Sequence, residues 1–401
     1  MPRSRHKKSL TFIISVSIAI TIGTILVSLL ARGYKINFNK GAILTPTGLI
    51  SATSTPKSSS VFINDRLVTA TDDTINLPPG QYDIKITKDG YLPWRKNLLV
   101  KKEIVAQTDA HLFRSAPILE PISLSGAINP TLSPDKNKIV FAVASASATT
   151  DNGLYMAELS NNTLPIGSRS TPKLLRANTI IVDWTQVTSY QFSPDSSQLI
   201  ATFKNANYLL NLNTNSTGQP LYDISAQLPI IQKQWQELEQ EIIDARLQNI
   251  PKDLIPFIST ESAAYLQPYN SKDKVLYLAS TSGQLVDNII TPPPSQSNQA
   301  QQRQIEAGNY YIYDIKQDTN FFIGSQDDIK NPFWLPASNH IIFVQDNQIK
   351  TMEYDNTNVL TLFAGDFNQD IVAPVNDGQK LVTLTSAYQG AQPNLYTIGI
   401  R

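Results

Sequence analysis

Apolar and polar positions follow several distinct rhythms along this chain. From Leu10 to Ala31 the run is apolar on every face and carries no charged residue. A helix of that length spans about 33 Å, enough to cross the hydrocarbon core of a bilayer. From Gln81 to Thr87 the pattern alternates, with Tyr82, Ile84 and Ile86 on one side and Asp83, Lys85 and Thr87 on the other. That period of two predicts a half-buried strand. Further on, short runs without alternation recur: Ile139-Val140-Phe141, Leu199-Ile200-Ala201, Val275-Leu276-Tyr277, Ile341-Ile342-Phe343 and Leu381-Val382-Thr383. Such runs predict strands covered on both faces. One segment, Ile231 to Asn249, has helical spacing: Ile231, Trp235, Leu238, Ile242 and Ala245 form a stripe that stops at Pro251.

The flanks of the first apolar run set its expected orientation. Arg3, Arg5, Lys7 and Lys8 precede it with no acidic residue among them, against Arg32, Lys35 and Lys40 after it. The denser cluster is expected to stay cytoplasmic, which puts the bulk of the chain outside the cytoplasm. A cleaved signal peptide is the competing reading, but its apolar region is normally about 7–15 residues long. Its cleavage site also wants two small residues, where this chain offers Ala31 but Leu29. A buried core helix fits poorly with apolar residues all round and a basic tail alongside. The expected order is therefore a basic cytoplasmic tail (1–9), a membrane-spanning helix (10–31), a linker (32–47), a small β domain (48–113) and a larger β-rich region (114–401).

In the small domain, Val61-Phe62-Ile63 runs into an Asn64-Asp65 turn, and Leu77-Pro78-Pro79-Gly80 turns the chain into the alternating strand. Asp89-Gly90 turns it again ahead of a strand from Leu98 to Ala106. Hairpins of this length predict a small β-sandwich. The segment resembles the PEGA family through Gly48-Leu49-Ile50-Ser51, Pro56-Lys57-Ser58-Ser59, Val61 to Asp65, Leu77-Pro78-Pro79-Gly80-Gln81-Tyr82 and Lys88-Asp89-Gly90-Tyr91. The family's namesake tetrapeptide is degenerate, keeping Pro56 alone. The resemblance implies an extracytoplasmic β domain and no catalytic residues.

From Arg114 a turn signal precedes each β run. Leu132-Ser133-Pro134-Asp135 and Phe192-Ser193-Pro194-Asp195 are the clean copies; Trp334-Leu335-Pro336-Ala337 and Asn376-Asp377-Gly378 are degenerate. Proline presets one central position of the turn and aspartate bonds the backbone beyond it. From Ile139 the equivalent strand recurs after 60, 76, 66 and 40 residues. A plain four-stranded blade needs about 40–45 residues, so the longer steps imply insertions. One is the helix, placed near 228–258; another is the Pro/Gln/Ser-rich stretch Thr291 to Gln304. These units resemble the TolB and WD40-like propeller repeats. The resemblance implies a β-propeller of five or six blades, with a sixth hidden in 214–265, whose loops bind proteins, peptides or glycans. The expected fold class is all-β, behind one membrane helix.

Composition narrows the chemistry. The chain has 401 residues, 33 basic and 33 acidic, with four of the basic ones in the tail. A mildly acidic body is a poor nucleic-acid binder. There is no cysteine, which removes disulfides, thiolate metal sites and thiol nucleophiles. His6, His111 and His340 show no metal or triad spacing, and no phosphate-loop or nucleophile-elbow motif is present. Asp366, Asn368 and Asp370, with Asp377 further on, are spaced like calcium ligands, but Ile371 stands where such a loop needs glycine. Asp377 also belongs to the last blade's turn, and a polar loop between blades accounts for the spacing better. No catalytic, cofactor or metal residue is therefore assigned. Trp94, Trp184 and Trp334 sit in strand motifs and are expected in the core. Ligand or partner contact is open for Tyr310, Tyr311 and Tyr313, which alternate in a strand, and for Trp235, whose stripe either packs on the propeller or docks a partner.

These features lead to a single-pass membrane protein with its N-terminus cytoplasmic. The small β domain would serve as a spacer, and the propeller as a binding or assembly module for an envelope protein, peptide or glycan, without catalysis. Two alternatives stay open. One is a carboxylate-based hydrolase of envelope polymers, which needs two facing acids about 5–9.5 Å apart. The other is a purely structural envelope component.

Overall fold

The computed structural model describes residues 4–31, 34–37, 43–144, 151–159, 172–213, 220–258, 267–268, 273–287, 289–290, 299–375, 377–386 and 390–401. The chain divides into two compact units, one holding residues 1–89 and 93–112, the other residues 90–92 and most of 113–401.

Helix α1, Ser4–Ala31, begins six residues before the uncharged run and takes Arg5, Lys7 and Lys8 into its first turns. Arg3 lies outside the described residues. Over Phe12–Leu29 its mean hydropathy is 2.4 and none of it is buried against protein. It is the one described helix long and apolar enough to cross a membrane. Of the expected linker, 32–33 and 38–42 lie outside the described residues, and the rest is not plain coil. Lys35–Asn37 pairs antiparallel with Ile43–Thr45.

The remainder of this unit is a β-sandwich. A four-stranded antiparallel sheet is built from Ser60–Ile63, Arg66–Ala70, Gly80–Thr87 and Trp94–Val100. A second sheet joins Gly48–Ala52 to Asp73–Leu77 and Val105–Gln107. Their inward residues Ile50, Ala52, Val61, Ile84, Ile86 and Trp94 are all at or below 1% exposure. The degenerate tetrapeptide keeps its turn through buried hydroxyls: Ser54 Oγ and Ser59 Oγ both donate to the Pro56 carbonyl, at 2.7 and 2.8 Å. Gly48 has no room for a side chain, since a Cβ would stand 2.3 Å from the Lys101 carbonyl oxygen.

Among the described residues the second unit contains six antiparallel sheets, five of them blades and the sixth a two-stranded pair of Gly283–Gln284 with Gln304–Ile305. Blade 1 is Ile128–Leu132, Lys138–Val143, Gly153–Glu158 and Lys173–Ala177. Blade 2 has three strands, Ser189–Phe192, Gln198–Thr202 and Asn207–Asn211, with Tyr208 bridging Asp223 beyond its edge. Blade 3 is Gln267–Pro268, Lys274–Leu278, Asn309–Asp314 and Thr319–Ser325. Blade 4 is Lys330–Trp334, His340–Gln345, Gln348–Glu353 and Leu360–Ala364. Blade 5 takes Phe367–Val375, Lys380–Thr385 and Asn394–Gly399 from the end of the chain, and Ile118–Pro121 as its outermost strand. That exchange closes the ring, because no single stretch of chain completes blade 5.

Apolar clusters fill the spaces between consecutive blades. Phe321 and Ile323 of blade 3 meet Ile341 and Phe343 of blade 4. Ile342 and Val344 of blade 4 meet Val372 and Leu381 of blade 5. Val375 and Val382 meet Ile139 and Phe141 of blade 1, whose other face (Val140, Leu154) meets Leu199 and Leu210 of blade 2. Between blades 2 and 3 the filling changes. Helix α2, Leu228–Leu247, lays Trp235 on Ile200 of blade 2 and Ile243, with Ile250, Leu254 and Ile258, on Val275 and Tyr277 of blade 3. A helix occupies the wedge where a sixth blade was one expectation; of 214–265, residues 214–219 and 259–265 lie outside the described residues. The buried stripe of α2 shifts from the expected Ile242 and Ala245 to Ile243, because it leaves one blade for the next as it runs.

All three tryptophans expected in the core are buried; Trp94 begins a strand and Trp334 ends one, whereas Trp184 sits in a short 3-10 turn, Trp184–Gln186, between blades 1 and 2. Most of the Pro/Gln/Ser-rich stretch, 291–298, lies outside the described residues.

Candidate functional site

The first strands of the blades line the propeller axis: that of blade 1 touches those of blades 2 and 5, and that of blade 4 touches that of blade 5. Two hollows result, one at each end of these strands.

The Ser-Pro-Asp turns gather at the end where the first strands finish. Ser133 Oγ donates to Asp135 Oδ1 at 2.5 Å and accepts from the Lys138 amide at 2.9 Å. Sixty residues on, Ser193 repeats both contacts with Asp195 and Gln198, at 2.6 and 2.9 Å. Burial alone would raise the Asp135 carboxyl, but hydrogen bonds from Ser133, Asn137 and Ser196 outweigh it and hold the group below its usual range. Adjacent turns are tied together, as Lys138 Nζ donates to the Ser196 carbonyl at 2.9 Å.

A cleft of about 490 Å³ opens between these turns and α2, lined by Pro134, Phe192, Pro194, Trp235, Glu239 and Arg246 among others. Its origin is geometric. One helix is narrower than the four-stranded sheet that would otherwise fill a wedge of the ring. Glu239 is the one carboxylate in its lining, so a pair of facing acids does not form there. Beside these turns, Lys136 holds a left-handed φ of 57° and places its Nζ 4.9 Å from the centre of the Phe333 ring of blade 4, reaching past the intervening blade 5. Burial pushes its ammonium down to about 8.

The opposite hollow, about 500 Å³, lies where the first strands begin. Asn129, Thr131, Thr188, Ser189, Tyr190 and Asn368 supply its polar lining. Asn129 sits in a bulge at φ 49° and donates Nδ2 to the Val187 carbonyl at 2.9 Å, which joins blade 1 to the entry of blade 2.

The expected site residues are not brought together. Tyr310, Tyr311 and Tyr313 are 4%, 0% and 0% exposed. Tyr310 faces blade 4, while Tyr311 and Tyr313 face the segment after α2, and Tyr313 Oη donates to Asp318 at 2.6 Å. Alternation therefore exposes none of them, because their strand is interior to blade 3 and covered on both sides. This corrects the expectation of a surface tyrosine for ligand contact. Trp235 is 7% exposed, donates Nε1 to Gln198 Oε1 at 3.3 Å, and contributes to the cleft wall. Asn368 and Asp370 fall on the bulged first strand of blade 5, with Asp366 just before it, and Asn368 Oδ1 accepts from the Asp370 amide at 2.9 Å. No cluster of three potential metal-ligating side chains occurs among the described residues.

The family called PEGA domain matches residues 47–115. No curated protein matches the sequence. Among solved structures, the chain is similar to a putative TolB from Agrobacterium tumefaciens at 14% identity and a TM-score of 0.21, over 68% of this chain and 71% of that one. It is similar to TolB from Acinetobacter baumannii at 12% identity and 0.22, over 80% and 59%. An oligogalacturonate lyase in complex with manganese follows at 10% and 0.22, over 72% of each. At such scores these likenesses carry no argument about activity, and the propeller rests on its own sheets and clusters. The chain thus joins an N-terminal helix able to cross a membrane, a PEGA domain over residues 47–115, and a β-propeller with five described blades and a helix in the remaining wedge.

Proposed function

We propose that this is a membrane-tethered extracytoplasmic binding or scaffold protein of the cell envelope, in which the PEGA domain spaces the propeller from the bilayer and the propeller engages an envelope protein or glycan without catalysis. The observation that carries the reading is the Phe12–Leu29 stretch, uncharged and with none of its surface buried against protein. A helix with every face apolar has no stable place in water. The four basic residues before it favour a cytoplasmic N-terminus. The cleft beside α2 supports the interaction role, since it combines apolar walls with a few polar groups.

The test uses the full chain in intact cells with a tag at each end. External protease should remove the C-terminal tag and spare the N-terminal one, and alkaline carbonate should leave the chain in the membrane pellet. A protected C-terminal tag, or release by carbonate, would overturn the reading.

A further inference from the structure

We propose that the hollow where the first strands begin is a binding site for a neutral saccharide. The proposal rests on the propeller being an extracytoplasmic interaction module and names the ligand class of one of its ends. Amides and hydroxyls from three blades converge on about 500 Å³, and no Asp, Glu, Lys, Arg or His takes part in the lining. The size is that of a small-ligand pocket. The neutrality is local, because the cleft at the other end holds Glu239 and Arg246. An ion entering a hollow of neutral groups gives up hydration without meeting a counter-charge, whereas a sugar hydroxyl both donates and accepts and is satisfied by such groups.

The bonding already present leaves complementary capacity. Asn129 commits Nδ2 to the Val187 carbonyl, which leaves Oδ1 as an acceptor. Asn368 commits Oδ1 to the Asp370 amide, which leaves its NH2 group as a double donor. Thr188 and Ser189 add adjacent hydroxyls.

The test uses the full chain in phospholipid nanodiscs, which avoids sugar-headed detergents. It is screened on an array of neutral oligosaccharides (glucose, mannose and N-acetylglucosamine oligomers) alongside uronate and sialylated ones, and the best neutral binder is followed by calorimetry. Neutral sugars should bind in preference to anionic ones. The Thr188→Val/Ser189→Ala double variant should bind at least about tenfold more weakly at an unchanged Tm, since each lost hydrogen bond is worth about 1 kcal/mol. Asn368→Asp serves as a second variant of nearly equal shape and should weaken binding as well. Absence of any neutral binder to folded wild type, stronger binding of anionic sugars, or wild-type affinity in both variants would overturn the proposal. Surface exposure is read separately by the protease test, so a surface-exposed chain that binds no neutral sugar loses this inference alone.

Discussion

Asn129 and Asn331 occupy the same place in blades 1 and 4. Each stands at φ 49° in a bulge of its first strand and is followed by proline, and each donates Nδ2 to a backbone carbonyl entering the next blade. The acceptors are Val187 at 2.9 Å and Gln369 at 3.2 Å. The pair acts as an inter-blade clasp. Asparagine suits it because its short side chain tolerates the left-handed region and reaches the neighbouring strand. Asn331→Ala should lose about 2 kcal/mol, half from the hydrogen bond and half from backbone strain. Asn331→Gly should recover the strain part. Urea unfolding of the three proteins would check the ordering, and equal stability of the alanine and asparagine forms would refute the clasp.

Lys136 should make the propeller respond to alkaline pH. Its ammonium titrates at about 8 when folded, because burial disfavours the charge, against an ordinary 10.5. Below pH 8 both folded and unfolded chains hold the proton, and the folded one carries the desolvation penalty. Between about pH 8 and 10.5 the unfolded state binds more protons, so stability rises with pH. Lys136→Met should therefore stabilise at pH 7, by about 1 kcal/mol once residual solvent contact is allowed for. It should also flatten the rise. Urea midpoints measured from pH 7 to 10.5 would show it, and parallel curves for the two proteins would contradict it.

Trp235 pins α2 to blade 2, and the helix buries little else besides Ile243. Trp235→Ala should cost about 3 kcal/mol, felt mostly by α2 and the cleft. Hydrogen exchange would read this as faster exchange over 228–247, with 380–385 of blade 5 unchanged. Uniform acceleration through both segments would mean that α2 is integral to the ring. Gln198→Ala removes a 3.3 Å bond and should cost no more than about 1 kcal/mol.

Charges placed within α1 should release the chain. Ile18 and Ile22 lie inside the apolar window. Aspartate near the middle of a spanning helix costs about 3 kcal/mol each, so the Ile18→Asp/Ile22→Asp chain should shift toward the soluble fraction after carbonate treatment. Retention equal to wild type would argue against spanning.

Much of the architecture was legible in local patterns. The uncharged run identified α1, and the alternation at Tyr82, Ile84 and Ile86 identified a sandwich strand. The unalternated runs found the second strand of all five described blades. The clasp is written there too, as Asn129-Pro130 and Asn331-Pro332 placed alike ahead of Pro134 and Pro336, but the turn signal beside it is stronger and an Asn-Pro pair does not name the carbonyl it will meet. The tyrosines misled for a physical reason. A period of two tells which side chains share a face, not whether that face meets water, and Tyr310, Tyr311 and Tyr313 have a protein layer on either side.

By itself the amino-acid sequence determined what depends on neighbours along the chain: the apolar helix, the strands and the turns with their Ser–Asp bonds. Only the tertiary structure decided what depends on residues far apart. Ile118–Pro121 joins Asn394–Gly399 to close blade 5, α2 takes the remaining wedge, and Asn129, Ser189 and Asn368 meet at one hollow. No spacing encodes these meetings, because ring closure brings together groups separated by most of the propeller's length.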